Sequence, residues 1–438
     1  MRRNWMIVLT LLIVVTMFAG CSGDKGATGI KSAEGDSIKL SLWHNFTGDD
    51  LRARTMREII SEFEAANPGI KLNVQAIPPD GYRARLKTVA AANEMPDVFI
   101  MWPGAMTKEF QGGGLIQPVD ELLQANATWK DGFLPGSFDN FTIDNKVYSA
   151  PMSLTPTSIL YYNQSILDKH GVKVPQTWDE LLQAVRTLKA AKVTPIALGN
   201  KAAWLAQSSI LSSLADRVTG TEWFIKAAAQ DGAKFTDPEF VRALELLQQL
   251  QQEGAFQEGF NSMDNTQMEM MFAHGQAAMM IDGGWALTNL TANATPDAIK
   301  QMGVTVLPAI ADGKGDPNTT SGVVGVGLGL SAKTEGKVKE AAHKLIFAMS
   351  GPEAQKRTLE SNQLVSYKVE LDKSKVSPIF SKVYELVNDI QFTPVYDGML
   401  TSAGADVVNN GIQELLMGGD PKAIAAKIQE AQAKSLGK

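Results

Sequence analysis

Ile38, Leu40 and Leu42 alternate with polar residues, the two-residue period of a strand with one buried face, and this strand runs out at Trp43-His44-Asn45. Asp49 or Asp50 is placed to cap a following helix, on which Met56, Ile59, Ile60 and Phe63 share one face. Asn67-Pro68-Gly69 stops it. Ile70, Leu72, Val74 and Ala76 alternate again, a helix is predicted from Tyr82 to Asn93, and Val98-Phe99-Ile100-Met101 is the unbroken apolar run of a strand covered on both sides. Strand, helix, strand, helix, strand predicts a parallel sheet built from right-handed crossovers. Ligands of open sheets sit beyond the carboxyl ends of the strands, and Trp43, His44, Asn45 and Trp102 fall at two such ends.

The same reading continues along the chain. Thr177-Trp178-Asp179-Glu180 opens an amphipathic helix, and Phe240 to Leu250 forms another after Asp237-Pro238. Ala277 to Ile281 predicts a buried strand leading into Asp282-Gly283-Gly284-Trp285, and Val304 to Pro308 a short one. Residues 311–321 read as a polar loop, and Ala341 to Met349 and Pro421 to Lys434 as helices. The stretch GVVGVGLGLS (322–331) matches neither nucleotide-loop pattern and reads as a glycine-bearing strand.

The chain has 438 residues and a single cysteine, Cys21. Met1-Arg2-Arg3, an apolar run from Trp5 to Phe18 broken only by threonines, and the small residues Ala19-Gly20 have the order of a secretory signal peptide. The run is shorter than the roughly 20 residues a spanning helix needs. Ala19-Gly20-Cys21 resembles the end of a bacterial lipobox, with Phe18 in place of the usual leucine. That resemblance implies removal of residues 1–20 and diacylation of Cys21, two acyl chains being what stable anchoring takes. Residues 21–36 carry almost no bulky apolar side chain and are expected to be a flexible tether. Losing Arg2 and Arg3 takes the formal charge from −6 to −8, and an acidic chain without a Lys/Arg cluster argues against nucleic acid as a partner. About 400 globular residues exceed one core, so two domains are the default.

Several stretches in order, MPDVFIMW (95–102), GGLIQPVDELL (113–123), residues 146–182, GQAAMMIDGGWAL (275–287) and SGPEAQ (350–355), resemble the bacterial extracellular solute-binding proteins of carbohydrate type, the ligand-capturing components of ABC importers. The resemblance implies an α/β, two-lobe periplasmic-binding-protein-like fold of type II, each lobe a mainly parallel sheet flanked by helices. Hinge crossings would fall near Pro151-Met152, Thr305 to Pro308 and Met349 to Pro352. Lobe one would be 37–151 plus 305–350, and lobe two 152–304 plus 351–438. The implied partners are a sugar or oligosaccharide, a membrane permease and, through the lipid, the outer face of the cell membrane. A monomer without cofactor or metal is expected.

Sugars present C–H patches that pack on aromatic faces, and ring-edge hydroxyls that carboxylates and amides bind in pairs. Trp285, after two glycines, is the leading stacking candidate, with Trp43, Trp102 and Trp204 beside it. Trp178 reads as a structural residue at a helix start, and Trp129 and Trp223 as core or surface. Polar candidates are His44, Asn45, Tyr82, Asp97, Asp282 and the pair Tyr396-Asp397. Asp97 stands at the wrong end of its strand for a ligand, and a bracing role competes with the binding one. The four histidines are scattered, and no G-x-S-x-G elbow, S-x-x-K or metal-binding histidine spacing occurs. A glycoside hydrolase or lyase, which needs only two carboxylates, is the alternative from another class. A glycerophosphodiester, polyamine or metal chelate is the alternative ligand on the same fold.

Overall fold

The computed structural model describes residues 37–438; the expected signal peptide, Cys21 and the tether lie outside the described residues. Strand β1 (Ile38–His44) pairs in parallel with β2 (Ile70–Ala76) on one side and β3 (Val98–Met101) on the other. Helix α1 (Leu51–Ala66) starts where the Asp50 carboxylate accepts from Ala53 N at 3.0 Å, and it buries Met56, Ile59, Ile60 and Phe63. Helix α2 spans Pro79–Ala91, with proline at its first turn. It begins three residues before the predicted Tyr82, because Pro78-Pro79-Asp80 starts the helix instead of ending the preceding loop.

Beyond β3 the sheet continues with the long strand β5 (Thr319–Ser331), antiparallel to β3 and to β4 (Ser149–Pro156). Five further strands matter: β6 (Ile159–Asn163), β7 (Thr194–Ala197), β8 (Ala277–Asp282), β9 (Met302–Thr305) and β10 (Gln391–Thr393). Strands β6 to β9 form a second sheet in the order β9-β6-β8-β7, in which only the β8–β7 pair is parallel. Both sheets are therefore mixed. The parallel part is confined to helix-linked strands, and β6, which follows β4 after two residues, runs against its neighbours.

Each sheet has its own apolar core. One contains Leu40, Leu42, Phe63, Phe99, Leu328, Leu330 and Ile346; the other contains Tyr161, Leu181, Phe240, Met279, Tyr396, Ile412 and Ile428. The two cores are the two lobes. Strand β4 passes between them, with Ala150 and Met152 in the first core and Pro156 O accepting from Gly284 N, at 2.8 Å, in the second lobe. The helix pair Gly336–Ser350 and Pro352–Glu360 also passes over, with Ala354 in the first core and Leu359 in the second.

The remaining passage is later than Thr305 to Pro308. Thr305 pairs with Leu160 inside the second sheet, and Leu307 and Ile310 belong to the second core. Buried Arg217 donates to Leu307 O, Pro317 O and Thr319 O at 3.3, 3.0 and 2.5 Å, binding the whole polar loop to lobe two. The crossing lies within β5, whose start pairs with β10 and whose end pairs with β3. Its register against β4 shifts between Val324 and Gly327, an irregularity of the kind that bends a strand. Among the described residues, no helix is long and apolar enough to cross a membrane.

Candidate functional site

The start of α2 supplies two contacts across the lobes, from Asp80 and Arg83, and between them one brace within lobe one, from Tyr82. The Asp80 carboxylate accepts from Trp204 Nε1 at 3.3 Å, across from lobe two. Burial raises the Asp80 pKa and the nearby Asp264 charge adds to this, while the Trp204 hydrogen bond and Lys201 oppose it. Tyr82 is fully buried; its hydroxyl donates to Trp43 O and accepts from Ile100 N, both at 3.0 Å, which clamps the carboxyl ends of β1 and β3 together. Arg83 lies over the Trp102 ring at 4.4 Å and pairs with Asp397 of the other lobe.

On the lobe-two side, the Trp204 and Trp285 rings meet edge to face at 5.5 Å and 66°. Gly283 and Gly284 set the Trp285 indole in place: a Cβ on Gly283 would collide with the indole, and one on Gly284 would press on Pro156 at 3.1 Å. Behind that turn, Asp282 is fully buried and accepts from Gly283 N at 2.8 Å and Asn265 Nδ2 at 3.0 Å. It shares a hydrogen bond with the buried Glu269, which also accepts from Asn289. Burial pushes the Asp282 pKa up to about 7 and raises that of Glu269 well above the carboxylate range, the Asp282 charge adding to the latter.

Trp43, Asn45, Trp102, Trp204, Trp285 and Asp397 are half-buried; of these, Trp285 and Trp204 connect to Asp80, and Trp102 and Asp397 to Arg83, three residues further along α2. Four other candidates lie inside a single lobe. His44 is buried against Phe46, accepts from Phe46 N at Nδ1 and 3.1 Å, and is pushed down to about 4, first by burial and then by Arg57. Tyr82 is the clamp described above. Asp97 accepts from Ser41 N and Ser41 Oγ at 2.8 and 2.6 Å and from Thr334 Oγ1 at 2.8 Å, so its oxygens brace a loop. Tyr396 stacks on Phe224 at 3.8 Å in the core of lobe two, while Asp397 beside it turns the other way, toward Arg83. Asp282 also sits one layer behind the surface, under Trp285. Trp129 and Trp223 are core residues, donating to Ser350 O and Asp237 Oδ2 at 3.0 and 2.9 Å.

The lobes touch in this structure at further points. Lys87 and Asp406 are 3.5 Å apart, Ser402 donates to Glu109, and a side chain on Gly104, at φ 76°, would run into Gly398 O. Arg52 donates to Gln363 Oε1 at 3.3 Å. Among the described residues, no group of three or more His, Cys, Asp or Glu could hold a metal ion. What the facing surfaces offer is flat apolar rings, carboxylates and cations: Arg83 and Lys87 paired across to Asp397 and Asp406, and Lys201 near Asp80.

The sequence profile of the family described as bacterial extracellular solute-binding protein matches residues 49–356. The chain belongs to that family. A multiple sugar-binding protein of Streptococcus mutans is 28% identical to this binding protein over 348 residues, covering 77% of each chain. The melibiose/raffinose/stachyose-binding protein of Bacillus subtilis is 26% identical over 434 residues, covering 95% of this chain and 92% of its own. A solved chitin oligosaccharide binding protein superposes with a TM-score of 0.83 at 27% identity, covering 90% of this chain and 98% of that one.

Three residues at or behind the binding protein's facing surfaces escape sequence reasoning. Asp80 sits in a Pro-Pro-Asp-Gly turn, where an acid reads as a helix-start residue. Arg83 is one of two arginines on α2, and only the fold brings it to Asp397. Glu269, in QMEMMF, looks like the solvent face of a helix; its neighbours in sequence are methionines, a composition with a flat apolar pattern that hides which side is inward.

Proposed function

We propose that this binding protein captures a neutral sugar, an oligosaccharide, between its lobes and delivers it unchanged to the membrane permease of an ABC importer. The Trp204–Trp285 pair of lobe two, facing Asp80 of lobe one, carries the reading. Indole faces take the C–H surface of a pyranose, and a carboxylate with lone pairs to spare accepts its hydroxyls. The relatives named for sugars, found over most of the chain, support it. A ligand that contacts both lobes only when they close shifts the population toward the closed form, which is what the permease would read. Held by a lipid on Cys21 outside the cell membrane, the protein would work as a monomer without cofactor.

A glycerophosphodiester would want an unpaired cation on the stacking surface, whereas Arg83, stacked on Trp102, is already bound to Asp397. Calorimetry with raffinose, stachyose, chitin and xylan oligosaccharides, against glycerophosphodiesters and spermidine, tests the ligand class. Retention of one sugar at one equivalent, recovered intact, supports the reading; binding of only the charged ligands, or turnover, overturns it. Membrane fractionation of Cys21→Ala tests the anchor: release into the soluble fraction is expected, and retention refutes it.

A further inference from the structure

Glu269 and Asp282 are two carboxyls in contact, with 1% and 0% exposure, and among the described residues no Lys, Arg or His bonds to either. Two buried carboxylates without a cation cannot both ionise; they hold one proton between them. The groups around them are neutral donors or further acids. Asn265 and Gly283 N serve Asp282, Asn289 serves Glu269, and Trp285 lies against Asp282. Tyr161, whose hydroxyl donates to Gly283 O at 3.0 Å, faces the pair from β6. Asp50, the cap of α1, faces Glu269 from the other lobe.

We infer that the proton shared by Glu269 and Asp282 is a positioning element for Trp285: it fixes the Asp-Gly-Gly-Trp turn, and its loss as pH rises weakens ligand binding. The pair occupies the base of that turn, because Asp282 is the last residue of β8 and bonds directly to the amide of Gly283. A second negative charge there has no partner within lobe two and meets Asp50 when the lobes are together. Deprotonation therefore loosens the turn and opposes closure through the same two carboxyls.

The inference rests on Trp285 as a ligand-stacking residue, and its test separates the two ideas. In the ligand-free full-length protein near neutral pH, infrared spectroscopy should show a protonated carboxyl C=O band that disappears in Glu269→Gln, where the amide keeps a hydrogen bond and removes the shared proton. Tryptophan emission should shift between pH 6 and about 9 in the wild type, and the shift should be absent in both Glu269→Gln and Trp285→Phe. The Kd for raffinose should rise about fivefold or more over the same range in the wild type and stay level in Glu269→Gln. A wild type with no such band and no pH-dependent emission, or a Glu269→Gln protein that keeps both, overturns the shared proton. Should Glu269→Gln fail to fold, Asp282→Asn is read in the same way. If the band and emission behave as expected while raffinose binds equally at every pH, positioning by the proton is overturned. If raffinose and the other sugars never bind, the sugar reading falls and the proton pair is still decided by the first two measurements.

Discussion

Arg83 offers a clean measure of what holds the lobes together, and Arg83→Met is the perturbation: methionine keeps a long flexible stem against Trp102. Arg83 makes two interactions, and they count differently. Its stacking on Trp102, at 4.4 Å, is within lobe one and persists whether or not the lobes meet, so it cancels from the closure equilibrium. Its pair with Asp397 exists only when they meet. A contact ion pair at an effective dielectric of 20 is worth up to about 4 kcal/mol. The Arg83 side chain is 34% exposed, which screens the pair, while Asp397 is 9% exposed, which leaves its carboxylate nearly unsolvated once the arginine is gone. Between the values for exposed and buried pairs, about 1–2 kcal/mol is the expected loss. That is roughly 5- to 30-fold in the closed population and, for a ligand that needs closure, in apparent affinity. Small-angle scattering of the ligand-free protein should show a larger radius of gyration, and calorimetry a correspondingly higher Kd. Asp397→Asn should reproduce most of the effect, and the double variant should add little to either single one. Fully additive single effects, or an unchanged radius of gyration, would refute the pair as an interlobe tie.

Trp285→Ala should raise the Kd for a bound sugar more than about tenfold, the loss of an aromatic face being worth over 1.4 kcal/mol, with the circular dichroism spectrum unchanged; an unaltered Kd counts against it. Asp97→Ala should lower the thermal midpoint by several degrees, since it strips three charge-assisted bonds from one loop, and leave the Kd alone. Tyr396→Phe should be neutral or slightly stabilising, because the buried hydroxyl has no hydrogen-bond partner among the described residues; a weakened Kd would return Tyr396 to the binding surface. Thermal stability should fall as pH rises from the ordinary carboxylate range through about 7, because the folded state keeps the proton shared by Asp282 and Glu269, which the unfolded chain gives up. His44, pushed down to about 4, acts at the other end: stability declines as pH falls below its unperturbed value of about 6.5. Calorimetry across pH 4–9 checks both limbs, and Glu269→Gln should flatten the upper one.

Between residues 38 and 101 the elements were legible because β1 buries alternate positions, α1 buries one face at three- to four-residue spacing, and β3 is an unbroken apolar run buried throughout. The tryptophans at the lobe faces were legible too, through strand ends and the paired glycines before Trp285. What failed was orientation at single positions. Tyr396 and Asp397 are adjacent, yet a helical turn sends one into a stack with Phe224 and the other toward Arg83, and no periodicity in four residues distinguishes them. The later crossing was displaced because Val304 to Pro308 is as apolar as a connecting strand; its pairing with β6, Leu307 in the second core and buried Arg217 reaching it from a distant helix keep it with lobe two. The meeting of Asp50, Glu269 and Asp282 joins segments more than 200 residues apart, a distance over which local spacing carries no information.

Neither core is made from one continuous stretch. The first needs residues from Leu40 and also from Leu345; the second needs residues from Ile159 and also from Ile428. A chain emerging from its N-terminus at about 5–20 residues per second therefore spends roughly 12–50 s between completing β1 to β3 and supplying Leu345, which helps to close the first core over them. Maturation is consequently all or none near the end of synthesis. Clipping off the last helix, Pro421–Ser435, which contributes Ile424 and Ile428 to the second core, should leave a half-finished protein rather than a smaller working one.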